Sequence, residues 1–321
     1  MQALFEDLIG QPRAVALLEA ALARNRLAPA YLFAGADGVG RRLAALRFLE
    51  GVVAGPQGSA ALRRRLEDGN HPDLLWVEPT YSHQGQLIPM SQAEEQGVPR
   101  RALPQLRLEQ VRAVARFLGR RPVEASRCLV VLEQVEAMAE GAANALLKTL
   151  EEPGDGLLIL ITASPERLLS TMRSRCQQIP FLRLDPVDLD RVLAVVAGRQ
   201  DDIPAQIEDP VELRALAAGS PGALLRHRRQ WQELPEGLAE RLRSRQREPL
   251  EALTLARDLT EALDVEQQLW LLDWWQLALW GAALDPEPLH RLERLRQQLR
   301  SYVQPRLAWE VALLDLAGLR R

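Results

Sequence analysis

Short unbroken apolar runs alternate with helically spaced apolar positions from residue 1 to about residue 182. The runs are Tyr31 to Ala34, Leu74 to Val77, Cys128 to Leu132 and Leu157 to Thr162, each bounded by turn residues. Such runs predict strands covered on both faces. Between them lie helix patterns. Val15, Leu18, Ala21 and Leu22 mark a first helix ending near Asn25, and Leu43, Leu46 and Leu49 mark a second. Leu108, Val111, Val114, Ala115 and Leu118 follow, then Ala142, Ala145, Leu146 and Thr149, stopped by Pro153-Gly154. The alternation predicts an α/β domain over 1–182, a parallel sheet with helices on both faces. Residues 79–105 are polar and rich in Pro and Gly, which predicts a surface loop or hairpin.

After Phe181 the strand pattern stops. Pro186, Pro204, Pro210 and Gly219-Ser220-Pro221-Gly222 punctuate helical stretches, predicting a small helical lid domain over 183–231. The rest, 232–321, has helical periodicity and reads as an all-α collar domain. It holds five of the seven tryptophans, and Trp270 and Trp274 share a face, as in a helical core or a subunit interface.

Composition narrows the class without naming a function. At 321 residues, 47% apolar and 26% charged, the chain reads as a globular protein of two or three domains. A net charge of -3 gives no bulk attraction to nucleic acid. Two cysteines, Cys128 and Cys176, exclude a disulfide framework and a four-cysteine zinc site, and fit a reducing cytosol. The first residues lack the basic and apolar regions of a signal peptide. The most apolar segment, Leu269 to Leu284, is interrupted by Asp273 and Gln276, so no membrane association is expected. The expected location is the cytoplasm.

The candidate chemistry sits in Gly35-Ala36-Asp37-Gly38-Val39-Gly40-Arg41-Arg42, between the first strand and the second helix. Gly35, Gly38 and Gly40 fit a phosphate-binding loop, G-x-x-x-x-G-K-[ST]. Arg41 stands where that loop needs lysine, and Arg42 where it needs a hydroxyl for Mg²⁺. Because 39 of the 40 basic residues are arginine, with Lys148 the single lysine, Arg41 alone is ambiguous. A second place decides. The strand Leu129-Val130-Val131-Leu132 ends in Glu133-Gln134, where an NTPase carries a metal-binding aspartate and a catalytic glutamate. Glutamine takes no proton. Hydrolysis by this chain is therefore not expected; ATP binding is expected to be weak or absent, and no cofactor is expected. Backbone amides at the helix start remain able to attract phosphate.

Thr171-Met172-Arg173-Ser174-Arg175-Cys176, together with Leu146-Leu147-Lys148-Thr149-Leu150-Glu151-Glu152-Pro153, resembles the bacterial DNA polymerase III clamp loader of the AAA+ class. Phe5-Glu6-Asp7-Leu8-Ile9-Gly10-Gln11, His71-Pro72-Asp73-Leu74, Arg107-Leu108-Glu109-Gln110-Val111-Arg112 and Tyr302-Val303-Gln304-Pro305-Arg306-Leu307-Ala308-Trp309-Glu310 carry the resemblance along the chain. It implies an AAA+ domain, a lid and a collar. The altered loop is similar to that of the family's stator, which lacks ATPase activity. For this chain the resemblance implies that Arg175, with Ser174, acts as an arginine finger in a neighbouring subunit's ATP site.

The implied partners are clamp-loader ATPase subunits and the delta subunit, the sliding clamp indirectly, and primer–template DNA through the assembled complex. Many relatives carry a four-cysteine zinc module; the corresponding interval, Gly51 to Asn70, has no cysteine, so no zinc is expected. His71 is expected to form hydrogen bonds rather than bind metal. Lys148 lies on the helix that faces DNA in related loaders, its alternative being an i, i+4 pair with Glu152. Arg63-Arg64-Arg65 reads as a solvated helix face. Neither ATPase nor polymerase activity is expected of the chain alone. The competing readings are an active AAA+ ATPase with an adapted site, and a stand-alone DNA-binding protein, which the net charge disfavours.

Overall fold

The computed structural model describes residues 4–98, 103–198, 209–244, 248–283, 286–301 and 303–318. The chain divides into two compact units, Met1–Gln200 and Asp201–Arg321. This boundary falls inside the segment 183–231 assigned to a lid from sequence.

The first unit runs α1 (Pro12–Ala23), β1 (Ala30–Ala34), α2 (Arg41–Ala54), α3 (Ala60–Glu67), β2 (Leu74–Val77), β3 (Thr80–His83), β4 (Gln86–Pro89) and α4 (Leu108–Leu118). It continues with β5 (Leu129–Leu132), α5 (Glu140–Glu151), β6 (Leu157–Thr162), α6 (Ser170–Arg173), β7 (Gln177–Pro180) and α7 (Pro186–Ala197). Five strands form a parallel sheet in the order β2-β5-β6-β1-β7. Alternate residues of each strand serve opposite faces. Ala30, Leu32, Val130, Leu132, Leu158 and Leu160 pack with Val111, Val114, Leu118, Ala142 and Leu146 of α4 and α5. On the other face Tyr31 and Phe33 meet Phe48 of α2, with ring centroids 4.9 and 6.5 Å apart.

Local signals explain several boundaries. α1 stops because Asn25 adopts φ +47°, with Arg26 N–H bonded to Ala21 O and Asn25 N–H to Leu22 O. β3 and β4 form a hairpin within 79–105, turned by Gln84 and Gly85, both at positive φ. The Arg63–Arg65 stretch is not a simple solvated face. Arg63 reaches the buried Glu50 at 2.8 Å, and Arg65 pairs with Glu124. Glu50 is 1% exposed, and a carboxylate so buried needs such partners. His71 accepts from Asp73 N–H, as a hydrogen-bonding role predicts.

The second unit is helical: α8 (Val211–Ala217), α9 (Pro221–Gln232), α10 (Leu238–Arg243), α11 (Pro249–Ala262), α12 (Val265–Ala283), α13 (Pro286–Arg300) and α14 (Pro305–Leu316). Trp270, Trp274, Trp275 and Trp309 are buried, whereas Trp280 is 43% exposed. The shared face of Trp270 and Trp274 is therefore core. Trp274 lies 5.1 Å from the Trp231 ring, and Trp275 stacks on Trp309 at 6.2 Å. No helix among the described residues is long and apolar enough to cross a membrane.

Trp270 Nε1–H donates to His227 Nδ1 at 3.0 Å, which requires that nitrogen to be unprotonated. Burial, the largest cause, pushes the His227 imidazole below its ordinary pKa. The unfolded chain takes up this proton near pH 6.5, and the folded chain resists it to lower pH. The stability contributed by His227 is thus complete above about pH 6.5 and declines as pH falls from there toward the folded value. Thermal unfolding between pH 8 and pH 5 is expected to show that decline, and His227→Gln to flatten it; an equally steep wild-type and variant profile would disprove the assignment.

Candidate functional site

The glycine loop joins β1 to α2 at the carboxyl edge of the sheet. Gly35 N–H donates to Thr162 O of β6 at 3.2 Å, and an added Cβ on Gly35 would stand 2.3 Å from Phe181 O. Gly38 and Gly40 hold φ +76° and +101°, so the turn into α2 uses backbone conformations that favour glycine. Gln11, 3% exposed, pins the loop from outside. Its Nε2 donates to Val39 O at 3.2 Å and Leu182 O at 2.7 Å, while its Oε1 accepts from Leu182 N–H at 3.0 Å.

Both arginines of the loop pair with carboxylates of this chain, Arg41 from a buried position and Arg42 from an exposed one. Arg41 is 6% exposed and ion-paired to Asp37 of its own loop, and its Nη1 is buried with no hydrogen-bond partner among the described residues. Arg42 Nη1 donates to Glu133 Oε1 at 2.7 Å, and its guanidinium lies 4.6 Å over the Trp76 ring. Trp76 Nε1–H donates to the same Glu133 oxygen at 2.8 Å. The fold thus brings the glycine loop and the end of β5 together. A side-chain cation contacts the carboxylate that would face a metal ion in an NTPase. Gln134 sits beyond β5 in the left-handed conformation, φ +49°. Trp76 was not singled out from sequence, because its partner Glu133 lies 57 residues away.

The second place is the exit of α6. Ser174 Oγ donates to Thr171 O at 3.1 Å, and Arg175 Nη1 donates to the same carbonyl at 2.9 Å. Arg175 Nη2 donates to Glu151 Oε1, the last residue of α5, at 2.8 Å. Its side chain is 35% exposed. On either side the chain is anchored. Met172 is buried, and Cys176 packs against the core, its thiol pushed up to about 12 by burial and so uncharged. Glu151 is the residue here that sequence reading passed over. Lys148 is exposed on α5 and forms no ion pair with Glu152 among the described residues. Those residues also contain no group of three His, Cys, Asp or Glu that could hold a metal ion.

A parallel sheet in this strand order, with a glycine loop leading from β1 into the helix, defines an α/β domain of the AAA+ class. Residues 10–185 match the family described as DNA polymerase III, delta subunit, and residues 189–316 match cyanobacterial DNA polymerase III delta prime, C-terminal domain. DNA polymerase III subunit delta′ of Bacillus subtilis is 36% identical over 183 residues, covering 55% of this chain and 49% of that protein. The delta′ subunit of Pseudomonas aeruginosa is 35% identical over 209 residues, covering 62% and 55%. The chain therefore spans about half the length of these relatives. In fold, a DNA polymerase III gamma subunit-related protein of Thermotoga maritima superposes with a TM-score of 0.55 at 18% identity, covering 96% of this chain and all of that one. The chain belongs to the DNA polymerase III delta-subunit family and, within it, to the delta-prime subunits of clamp loaders.

Proposed function

We propose that this chain is the non-catalytic stator of a replicative clamp loader and supplies Arg175 in trans to the ATP site of a neighbouring ATPase subunit. The contrast between its two sites carries the reading. In the glycine loop both guanidiniums are turned onto the chain's own carboxylates, Asp37 and Glu133. Ser174-Arg175-Cys176 keeps its arginine, half-exposed and held by Thr171 O and Glu151 of its own chain, with three N–H groups beyond those two anchors. The loop and strand end instead carry Arg41, Arg42 and Gln134 in place of the lysine, hydroxyl and general base that hydrolysis needs. A trans arginine stabilises charge developing on the transferred phosphoryl group. ATP binding by this chain is weak or absent, its location is the cytoplasm, and it needs neither zinc nor another cofactor. Its partners are the ATPase subunits and the delta subunit; through the assembled ring it helps open the sliding clamp and seat it on primer–template DNA. The seven helices α8–α14 and α7 serve the lid and collar roles.

The test is reconstitution with the ATPase and delta subunits, comparing wild type with Arg175→Ala. The expected result is loss of ATPase activity in a ring that still assembles; full activity in the variant would overturn the proposal. Sustained hydrolysis by the purified chain, abolished by Arg41→Ala, would establish the active-ATPase reading instead. We further propose that Lys148, exposed and unpaired with Glu152, contacts a DNA phosphate in the assembled loader. Lys148→Ala is then expected to weaken DNA stimulation of the loader's ATPase severalfold and to make it less sensitive to salt. Unchanged stimulation would remove Lys148 from the DNA path.

A further inference from the structure

Glu151 ends α5, and Glu152 follows it at the cap. Two carboxylates at the negative end of a helix oppose its dipole, so local helix stability does not account for them. The ion pair of Glu151 with Arg175 does not account for Glu151 either. Its side chains are 51% and 35% exposed, and such surface pairs contribute little to folding. What the pair does is geometric. One oxygen of Glu151 holds Arg175 Nη2 at 2.8 Å while Thr171 O holds Nη1 at 2.9 Å. Two anchors on the two terminal nitrogens fix the plane of the guanidinium. Of its five N–H groups two are engaged, leaving Nε–H and one N–H on each terminal nitrogen unclaimed by these anchors. Ser174 reinforces the arrangement by donating to the same Thr171 carbonyl, which fixes the turn that carries Arg175.

We infer that Glu151 is the positioning residue for Arg175. It holds the guanidinium in a preset orientation, so that a phosphate presented by a neighbouring subunit meets aligned donors instead of a freely rotating side chain. The inference rests on the finger reading proposed above. Fixing one long side chain in advance saves rotamer entropy that would otherwise be lost on engagement, a contribution equivalent to about 3–10-fold in rate. Glu151 itself touches no phosphate, so its effect passes entirely through Arg175.

The experiment is a double-mutant cycle in the reconstituted loader with Glu151→Gln, Arg175→Ala and the pair together. Glu151→Gln is expected to lower kcat about 3–10-fold with little change in KM for ATP, and to have no further effect once Arg175 is alanine. In the isolated chain the same substitution is expected to leave Tm unchanged or slightly raised, since it removes a misplaced charge from the helix end. Wild-type ATPase with Glu151→Gln, alongside a large loss with Arg175→Ala, would overturn the inference and leave the finger standing. No loss with Arg175→Ala would overturn both. An equal loss from Glu151→Gln in both backgrounds, or a higher ATPase rate, would also overturn it: the first places Glu151 on another route, the second makes it a brake.

Discussion

Arg175→Ala is expected to slow hydrolysis at the adjoining ATP site by roughly 10³-fold, the lower end of what trans arginines contribute. That factor corresponds to about 4 kcal/mol of transition-state stabilisation. Single-turnover hydrolysis in the assembled ring measures it, with the ring checked by gel filtration. Assembly is expected to survive: among the described residues the side chain is anchored by Thr171 O and Glu151 of the same chain, and its removal leaves the backbone turn held by Ser174 Oγ. Arg175→Lys is expected to recover little. An ammonium could replace one anchor or reach the phosphate, but it lacks the planar fork that does both at once. A loss of similar size accompanied by dissociation would instead make Arg175 an interface residue.

The parts of the fold legible in the sequence were those whose signal is local. β1, β5 and β6 are interior strands, covered on both faces, and their apolar runs mark them without ambiguity. β7 escaped because it is an edge strand that opens Gln177-Gln178, both exposed, with Ile179 its one buried residue. Its pairing to β1 is a long-range fact with no period to announce it.

The same distinction divides the site. The glycine frame, Glu133-Gln134 and Ser174-Arg175-Cys176 are contiguous in sequence. The contacts that give them their present form are not. Arg42 meets Glu133 across 91 residues, Gln11 meets Leu182 across 171, and Arg175 meets Glu151 across 24. Arg63 misled for the converse reason: a run of three arginines reads as solvated until Glu50, thirteen residues earlier, is seen to be buried beneath it.

Gly35→Ala is expected to destabilise the first unit by about 3 kcal/mol, at the upper end of the usual cost of overpacking. The added methyl would lie 2.3 Å from Phe181 O and 2.8 Å from Phe181 Cβ. The oxygen belongs to backbone, where Phe181 N–H is bonded to Ala34 O at 2.7 Å, so relief requires moving the chain between β7 and the loop. For a unit of this size the cost corresponds to a fall of roughly 10 °C in melting temperature. Gly141→Ala is the control: it lies in α5 with open space around an added Cβ, and the same substitution there should be neutral or stabilising by up to about 1 kcal/mol. Equal melting temperatures for Gly35→Ala and wild type would refute the packing argument. The experiment also bears on why a glycine frame persists beside Arg41 and Arg42. Phosphate is not needed to account for Gly35, because Phe181 occupies the space of its side chain. Nor is it needed for Gly40, whose φ of +101° and approach to Leu8 disfavour any Cβ. The glycines answer to the fold and the arginines to their carboxylates, so the loop retains its shape in a chain whose proposed chemistry resides at Arg175.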